Sequence, residues 1–394
     1  MKTDADIIVI GAGPAGLSFC RSLADTDLRI TVIEKSDRAT LENPPPDGRE
    51  IALTHTSKEI LKDLGAWDYL PDEEKFFLRQ AKVVNGTSPY TLHFPTPDKA
   101  LGKPADTLGY LISNHNIRRS LYAQCKDQTN LTWLTGTTVA SLQTDDNIAA
   151  VRLDSGQSLT AKLVVAADSR FSNTRRQMGI ATEMNDFGRT VIVFRMKHTL
   201  SNENTATECF HYGRTLAILP LSDYLSSMVI TIDSSEAERI WQMDAEQTRL
   251  DIVEQLDGKL GDMELVGEKH RYPLVGVHAR KFYAKRYALI GDAAVGMHPV
   301  TAHGFNLGLQ SQAILSNLIK AAQRQGGDIA ETEMLAKYSR QHMLHTLPLY
   351  HGTNAIVKLF TTENPPAKAL RHAALHAGNL LTPFKKLVSK QLTG

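Results

Sequence analysis

Cysteine is scarce: three residues, Cys20, Cys125 and Cys209, lie far apart in 394. They form no metal-type spacing and no even-numbered framework, so reduced thiols in a cytosolic protein are expected and no catalysis is assigned to them. An excess of either charge is also missing. Lys plus Arg number 44 and Asp plus Glu 43, a net charge of +1. Nucleic-acid binding usually needs a basic excess, so that class of partner is set aside. No apolar run approaches the length of a membrane-spanning helix. The first residues, Met1 to Asp6, are polar and lead into a strand, so no signal peptide is expected. Repeats, low-complexity tracts, metal-ligand clusters, a Ser/His/Asp triad and a paired-carboxylate site are not evident; no metal is expected.

What remains is a chain able to build a large core. Hydrophobic residues make up 42% and charged residues 22%, the composition of a folded globular chain. At roughly 150 residues per domain, two or three units are expected, or one large α/β unit with an insertion. Ile7 to Ile10 reads as a buried strand, Pro14 to Ala24 as a helix and Ile30 to Glu34 as a second strand, a βαβ opening. Ser57 to Leu64 and Asn114 to Lys126 read as helices, and Leu159 to Ala167 as a strand. From about Thr190 the pattern changes. Val191, Val193, the 216–221 run and Leu225 to Ile232 suggest the longer strands of an antiparallel sheet. Tyr287 to Ile290 is again a short buried strand followed by a Gly-rich turn. The expected fold is α/β: a Rossmann-type nucleotide-binding domain (1-80, 101-182 and 270-355), interrupted by a β-sheet substrate domain (81-100 and 183-269). A helical tail (356-394) follows.

Two glycine turns carry the chemistry. Gly11-Ala12-Gly13-Pro14-Ala15-Gly16 fits G-x-G-x-x-G directly after a strand and opening a helix. Gly11 permits the tight turn, Gly13 lets the backbone approach a pyrophosphate, and Gly16 lets helix and strand pack closely. The helix N-terminus turns unpaired N–H groups toward the phosphates, and Pro14 suits the first turn because its missing N–H has no partner there. Glu34 ends the second strand, where a carboxylate accepts from ribose hydroxyls and repels a 2′-phosphate, so FAD or NAD is indicated and NADP is not. The second turn is Gly291-Asp292-Ala293-Ala294, followed by His298-Pro299, Gly304, Asn306 and Gly308. A buried strand ending in Gly-Asp sets a carboxylate at the carboxyl edge of a parallel sheet. A helix starting near Phe305 would aim its positive end at a flat ligand, which suits the anionic edge of a reduced flavin. A plain NAD enzyme has no need of such a loop nearly 300 residues downstream, so FAD is favoured.

With these residues in view, the sequence resembles the p-hydroxybenzoate-hydroxylase-type flavoproteins and, within them, the ubiquinone-biosynthesis hydroxylases of the UbiH/UbiF/VisC group. The resemblance runs over nearly the whole chain. Beyond the two turns it rests on Asp47-Gly48-Arg49, Gly109-Tyr110 with Asn114 and Arg118, Asp168-Ser169-Arg170-Phe171-Ser172 with Arg175, and Tyr272-Pro273-Leu274. It implies that Glu34, with Lys35 beside it, holds the adenosine ribose. It implies that Asp292 reaches the ribityl chain or pyrophosphate, that Arg118 lies beside FAD, and that Arg49 runs along the flavin. Asp168 to Arg175 is implied in FAD and pyridine-nucleotide contact. Pro299 and the stretch His303, Gly304, Phe305 and Asn306 should border the isoalloxazine and the reacting ring. Leu216, Ile218 and Pro220 should line the substrate pocket. The chain departs from the family at Ser169, where glycine is usual, and at Ala302-His303, which replaces Gly-Gln. His303, Pro299 and Arg49 are the residues to which catalysis is assigned.

The resemblance implies a monooxygenase. NAD(P)H reduces FAD, O₂ forms a flavin C4a-hydroperoxide, and a phenol ring takes the distal oxygen. The protein positions the ring and excludes water. No second G-x-G-x-x-G is present, in keeping with a reductant that visits transiently. A flavin-dependent reductase or dehydrogenase on the same fold, or a flavin-bearing scaffold in a biosynthetic complex, stays open. The implied substrate is a hydrophobic polyprenyl phenol on the route to ubiquinone. Past Glu363 the tail has no acidic residue, and Leu380, Leu381, Phe384, Leu387 and Val388 make an apolar stripe beside Lys385, Lys386 and Lys390. Such a helix can lie on an anionic membrane surface, or dock on its own domain or a second subunit. A cytoplasmic protein is expected, with peripheral contact at the inner membrane and a place in a ubiquinone-biosynthesis complex as its further associations.

Overall fold

The computed structural model describes residues 3–85, 91–210, 213–298 and 303–361. Strand Ala5–Ile10 is buried at every position, as expected of a strand covered on both faces. It pairs in parallel with Ile30–Glu34 on one side and Ser158–Ala166 on the other, and Leu131–Thr135 lies beyond Ile30–Glu34. The long strand Ser158–Ala166 changes partner partway. Its first half pairs antiparallel with Ala149–Leu153, and its second half pairs in parallel with Tyr287–Leu289. That exchange lets a strand from far downstream end one strand away from the first, across Ser158–Ala166. Ala167 N–H donates to the Ile10 carbonyl at 2.8 Å, and Ile290 N–H donates to the Ala166 carbonyl at 2.9 Å. Both glycine turns therefore leave the same carboxyl edge of one sheet.

The helices follow the expected faces with shifted ends. Pro14–Ser22 stops short of Ala24, and the helix expected over Ser57 to Leu64 spans His55–Asp63 with Thr54 as its N-cap. The helix beginning near Phe305 is Gly304–Arg324, and Thr332–Thr361 follows it. Residue 356, taken as the start of the tail, falls inside this last helix; the stripe from Leu380 to Val388 lies outside the described residues.

A second sheet of eight strands is antiparallel over most of its width. Two strands of 17 residues, Thr182–His198 and Met263–Ala279, run from the nucleotide-binding half into it and pair along their length. Leu225–Asp233, Arg214–Ser222 and Thr205–Phe210 extend the sheet. Gln80–Asn85 and Thr91–Phe94 complete it from an earlier part of the chain. Side chains alternate across the pleat. Ile192, Phe194, Leu216, Ile218, Met228 and Ile230 share one face and form a core with Ile240 and Ile252 of helices Ala237–Gln242 and Ala245–Gln255. The opposite face, with Val191, Val193 and Leu274, looks toward the nucleotide-binding half. Tyr272 hydroxyl on that face donates to the Asp47 carbonyl. Arg195 reaches Glu50 through Nε at 3.0 Å and Nη2 at 2.7 Å. The space between this face and the strand edge is the cleft.

Candidate active site

The first turn is shaped by what its glycines exclude. Gly11 has φ +102°, and a Cβ there would sit 2.5 Å from the Ala167 carbonyl oxygen. A Cβ on Gly16 would meet the Gly11 carbonyl oxygen at 2.0 Å. Gly13 differs: a Cβ there would meet nothing within 4 Å. Its backbone borders open space at the mouth of helix Pro14–Ser22, where a pyrophosphate can approach. Glu34 is buried, and each carboxylate oxygen has one backbone donor. Oε2 accepts from Ala12 N–H at 2.7 Å, and Oε1 from Ser36 N–H at 2.8 Å. Each oxygen keeps a second lone pair for a ribose hydroxyl. Lys35 beyond it is exposed. These features fit a dinucleotide of the FAD type.

The second turn lies against the first. Gly291 has φ +58°, and a Cβ on it would be 2.7 Å from the Ala15 Cβ. Gly308, one turn into helix Gly304–Arg324, would bring a Cβ to 3.5 Å from the Gly291 Cα. Ser311 secures the turn: its Oγ accepts from Gly291 N–H at 3.1 Å and donates to the Gly308 carbonyl at 2.7 Å. Asp292 is partly exposed and paired with Arg170 at 3.0 Å, while Arg170 also donates to the Val275 carbonyl at 2.9 Å. Arg170 falls within the Asp168 to Arg175 stretch but is not singled out there by the sequence. Its neighbours in the Asp168–Ser172 motif were the available signal.

Arg175 is 2% exposed, so it is no surface cation. Nη1 donates to the Ala293 carbonyl at 2.7 Å and Nη2 to the Arg170 carbonyl at 2.9 Å. It ties the 168–175 segment to the second turn. Asp168 Oδ2 accepts from the Thr174 hydroxyl at 2.9 Å and from its N–H at 3.3 Å. Between them Ser169 holds φ +78°. The left-handed region costs a non-glycine residue roughly 1–2 kcal/mol, partly offset by the extra unfolded-state entropy of glycine. Ser169→Gly is therefore expected to stabilise the protein by about 0.5–1 kcal/mol; a raised urea midpoint at unchanged slope is the result to look for.

Asn306 joins the downstream helix to the segment after Arg49. Its amide nitrogen donates to the Ala52 carbonyl at 2.9 Å and its Oδ1 accepts from Thr54 N–H at 3.1 Å. Leucine would leave both buried backbone groups unpaired, at about 1–3 kcal/mol for each. Asn306→Leu is expected to lower the urea midpoint and weaken FAD retention on gel filtration. His303 occupies the N-cap position of the helix without a side-chain capping bond, and Gly304 and Phe305 begin its first turn. Pro299 lies outside the described residues. His298 is buried edge-on against Phe187 at 5.0 Å, and burial pushes its imidazole down to about 4.

On the cleft side, Arg49 is half exposed and paired with Asp47 at 2.6 Å. Asp47 Oδ2 also accepts from Asn114 Nδ2 at 2.7 Å. Burial alone would raise the Asp47 carboxyl; the Arg49 guanidinium and the Asn114 amide outweigh it and hold it below the usual range. The Arg49 guanidinium lies 5.5 Å from the Tyr272 ring centroid, and Gly48 sits against Val193 and His270 of the sheet. Arg118 is half-buried on helix Asn114–Cys125. Leu216 and Ile218 are not on the cleft face: the pleat turns both toward the helices, and Pro220 shares their parity. The alternate positions Thr215, Ala217 and Leu219 face the cleft. The run is uniformly apolar in sequence, and only its period of two divides it between the helix-covered face and the cleft.

A family model described as FAD binding domain matches residues 4–346. The chain is 58% identical over 394 residues to a Neisseria meningitidis protein named ubiquinone hydroxylase UbiM, covering 100% of this chain and 86% of that protein. It is 30% identical over 390 residues to a Rhodospirillum rubrum protein named ubiquinone hydroxylase UbiL, covering 99% and 90%. Among solved structures, p-nitrophenol 4-monooxygenase PnpA from Pseudomonas putida DLL-E4 superposes with a TM-score of 0.79 at 18% identity, covering 100% and 99% of the two chains. That last likeness is one of fold.

Proposed function

The chain belongs to the FAD binding domain family, and from that premise we propose that it is an FAD-dependent monooxygenase hydroxylating the aromatic ring of a hydrophobic phenol, a polyprenyl phenol on the route to ubiquinone. The observation that carries the reading is Gly291 packed on Ala15 at one sheet edge, beneath a sheet face that closes a cleft. A single ligand with a nucleotide half and a reactive half fits there. The 58% identity to a protein named ubiquinone hydroxylase supports the substrate class.

In this reading residues 1-80, 101-182 and 270-355 bind FAD, and 81-100 and 183-269 form the ring-binding half. Glu34 accepts from the adenosine ribose, and Gly13 N–H and its neighbours meet the pyrophosphate. Asp292, held by Arg170, takes the ribityl end. Arg49 and Arg118 supply positive charge along the cofactor, and the N-terminus of helix Gly304–Arg324 favours negative charge at the ring edge. When bound, FAD supplies reduction by NAD(P)H and activation of O₂ for transfer of one oxygen atom. The chain orients the phenol against that group and keeps water out. Leu359 packs on Leu92, Phe94 and Phe210 at one end of the cleft.

Turnover under ¹⁸O₂ with a short-chain polyprenyl phenol and NAD(P)H tests the reading. One labelled atom in the hydroxylated ring is the expected outcome. Reductant consumption with the label recovered as ¹⁸O-peroxide and none in the ring would overturn it. Among the described residues no helix is long and apolar enough to cross a membrane. Access to such a substrate is assigned to the basic tail, from the cytoplasmic side of the inner membrane and within a ubiquinone-biosynthesis complex. Loss of binding to anionic vesicles on removing residues 364–394 is the result that reading requires.

A further inference from the structure

One ionisable group on the cleft face has no part in the reading so far. In strand Thr205–Phe210, Cys209 points into the helix-covered core. The pleat therefore sends Glu208 and Phe210 to the opposite face. In register, Glu208 stands between Val83 and Ala217. Phe210 packs with Leu92 and Phe94, and Leu359 of helix Thr332–Thr361 covers them. Glu208 thus lies at an apolar end of the cleft yet keeps partial exposure, as expected of a side chain that lines a space. The Thr215 hydroxyl bonds its carboxyl. Burial nevertheless pushes that carboxyl up to about 8, the Thr215 bond offsetting only part of the lost hydration. Its neighbours are Val83 on one strand and Thr215 and Ala217 on the other. Cys209 beside it is a thiol pushed up to about 12, and the helix end that brings Leu359 also carries Lys358. A carboxyl with a single hydroxyl partner in an apolar wall costs stability, and such groups cluster where a ligand supplies a further partner.

We propose that Glu208 is a catalytic residue, binding the hydroxyl of the substrate's aromatic ring and accepting its proton. The phenol O–H bond breaks, its electron pair stays on oxygen as phenolate, and the proton passes to the Glu208 carboxylate to give the neutral acid. The ring so charged is a better nucleophile toward an incoming oxygen atom. On product release the acid returns its proton to solvent. The inference rests on the phenol-hydroxylase reading above and adds the side chain that meets the ring. A base with an affinity for protons near the working pH is well matched to this role.

The test uses the FAD-loaded full chain and a farnesylated phenol. Glu208→Gln should retain FAD and its melting temperature, with KM within about threefold and kcat lowered about 100-fold, the usual scale of general-base loss. The wild-type rate should rise with pH through a group near 8, and the Gln variant should be flat. The ultraviolet difference spectrum of bound phenol should show phenolate in the wild type and neutral phenol in Glu208→Gln. Thr215→Val keeps the carboxyl and removes the bond that lowers its proton affinity, so its rate profile should move to higher pH. A Gln variant within threefold of wild-type kcat, or a Thr215→Val profile unmoved, overturns the role of Glu208. A wild type that neither binds nor hydroxylates the phenol overturns the functional reading instead.

Discussion

Gly13→Ala should leave the apoprotein folded while lowering its FAD affinity at least tenfold, whereas Gly16→Ala should damage the fold itself. The two methyl groups are chemically equal and meet different surroundings. At Gly13 a Cβ has nothing within 4 Å, so only a ligand can collide with it. Its backbone is already extended at φ −73°, which alanine accepts. Losing glycine at this N-cap costs about 1 kcal/mol or less. At Gly16 the methyl would lie 2.0 Å from the Gly11 carbonyl oxygen, a backbone atom held by the sheet. Relief requires helix Pro14–Ser22 to lift off the strand. Overpacking of this kind costs about 1–3 kcal/mol and more where the obstacle is rigid. Urea denaturation of the flavin-free proteins, beside fluorescence titration with FAD, separates the two effects. Equal loss of stability in both variants would show that Gly13 does not border a ligand space.

Mild acid should unfold the protein through histidines that have no role in the chemistry. His342 is buried in a seam where helix Thr332–Thr361 meets the nucleotide-binding half, stacked on Tyr338 at 6.2 Å and tilted against Phe282 at 5.2 Å. Among the described residues its Nδ1 has no hydrogen-bond partner, and burial pushes the imidazole down to about 3. Burial also pushes the His298 imidazole down, to about 4. Both are neutral in the fold and take up protons near 6.5 once unfolded. Below that pH the unfolded chain binds more protons than the native one, so stability falls as pH falls. The slope is about 1.4 kcal/mol per pH unit for each group, from about 6.5 down to its native value. At pH 5 the two together remove roughly 4 kcal/mol, a large part of an ordinary domain's margin. His342→Phe removes one titration and one orphaned nitrogen. Its melting temperature should exceed that of the wild type at pH 5 by several degrees and differ less at pH 7.5. Parallel pH dependences in the two proteins would refute this account.

Legibility in the sequence followed the range of the physics. The strand, glycine turn, helix and acidic residue from Ile7 to Glu34 were readable because each acts over a few residues: a turn needs φ beyond zero, a helix mouth needs phosphate-sized space, a strand end needs a carboxylate. The strands through Val191 and Val193, the 216–221 run and Leu225 to Ile232 were readable by period and composition, whereas Thr205–Phe210 was not. The face of a strand was harder. Leu216 and Ile218 are as apolar as their neighbours, and nothing local says which side carries helices Ala237–Gln242 and Ala245–Gln255. Arg175 shows the same limit, since a charge in a polar stretch gives no sign that it will be buried against the Ala293 carbonyl.

Order along the chain was therefore enough to specify the elements, the dinucleotide turn and the family. Only packing decided that Gly291 rests on Ala15, that Asn306 bridges to Ala52 and Thr54, and that Glu208 looks into the cleft. The reason is distance: backbone preference and periodicity are complete within one element. Burial, proton affinity and the meeting of two turns separated by 275 or more residues exist only once separate elements share a surface.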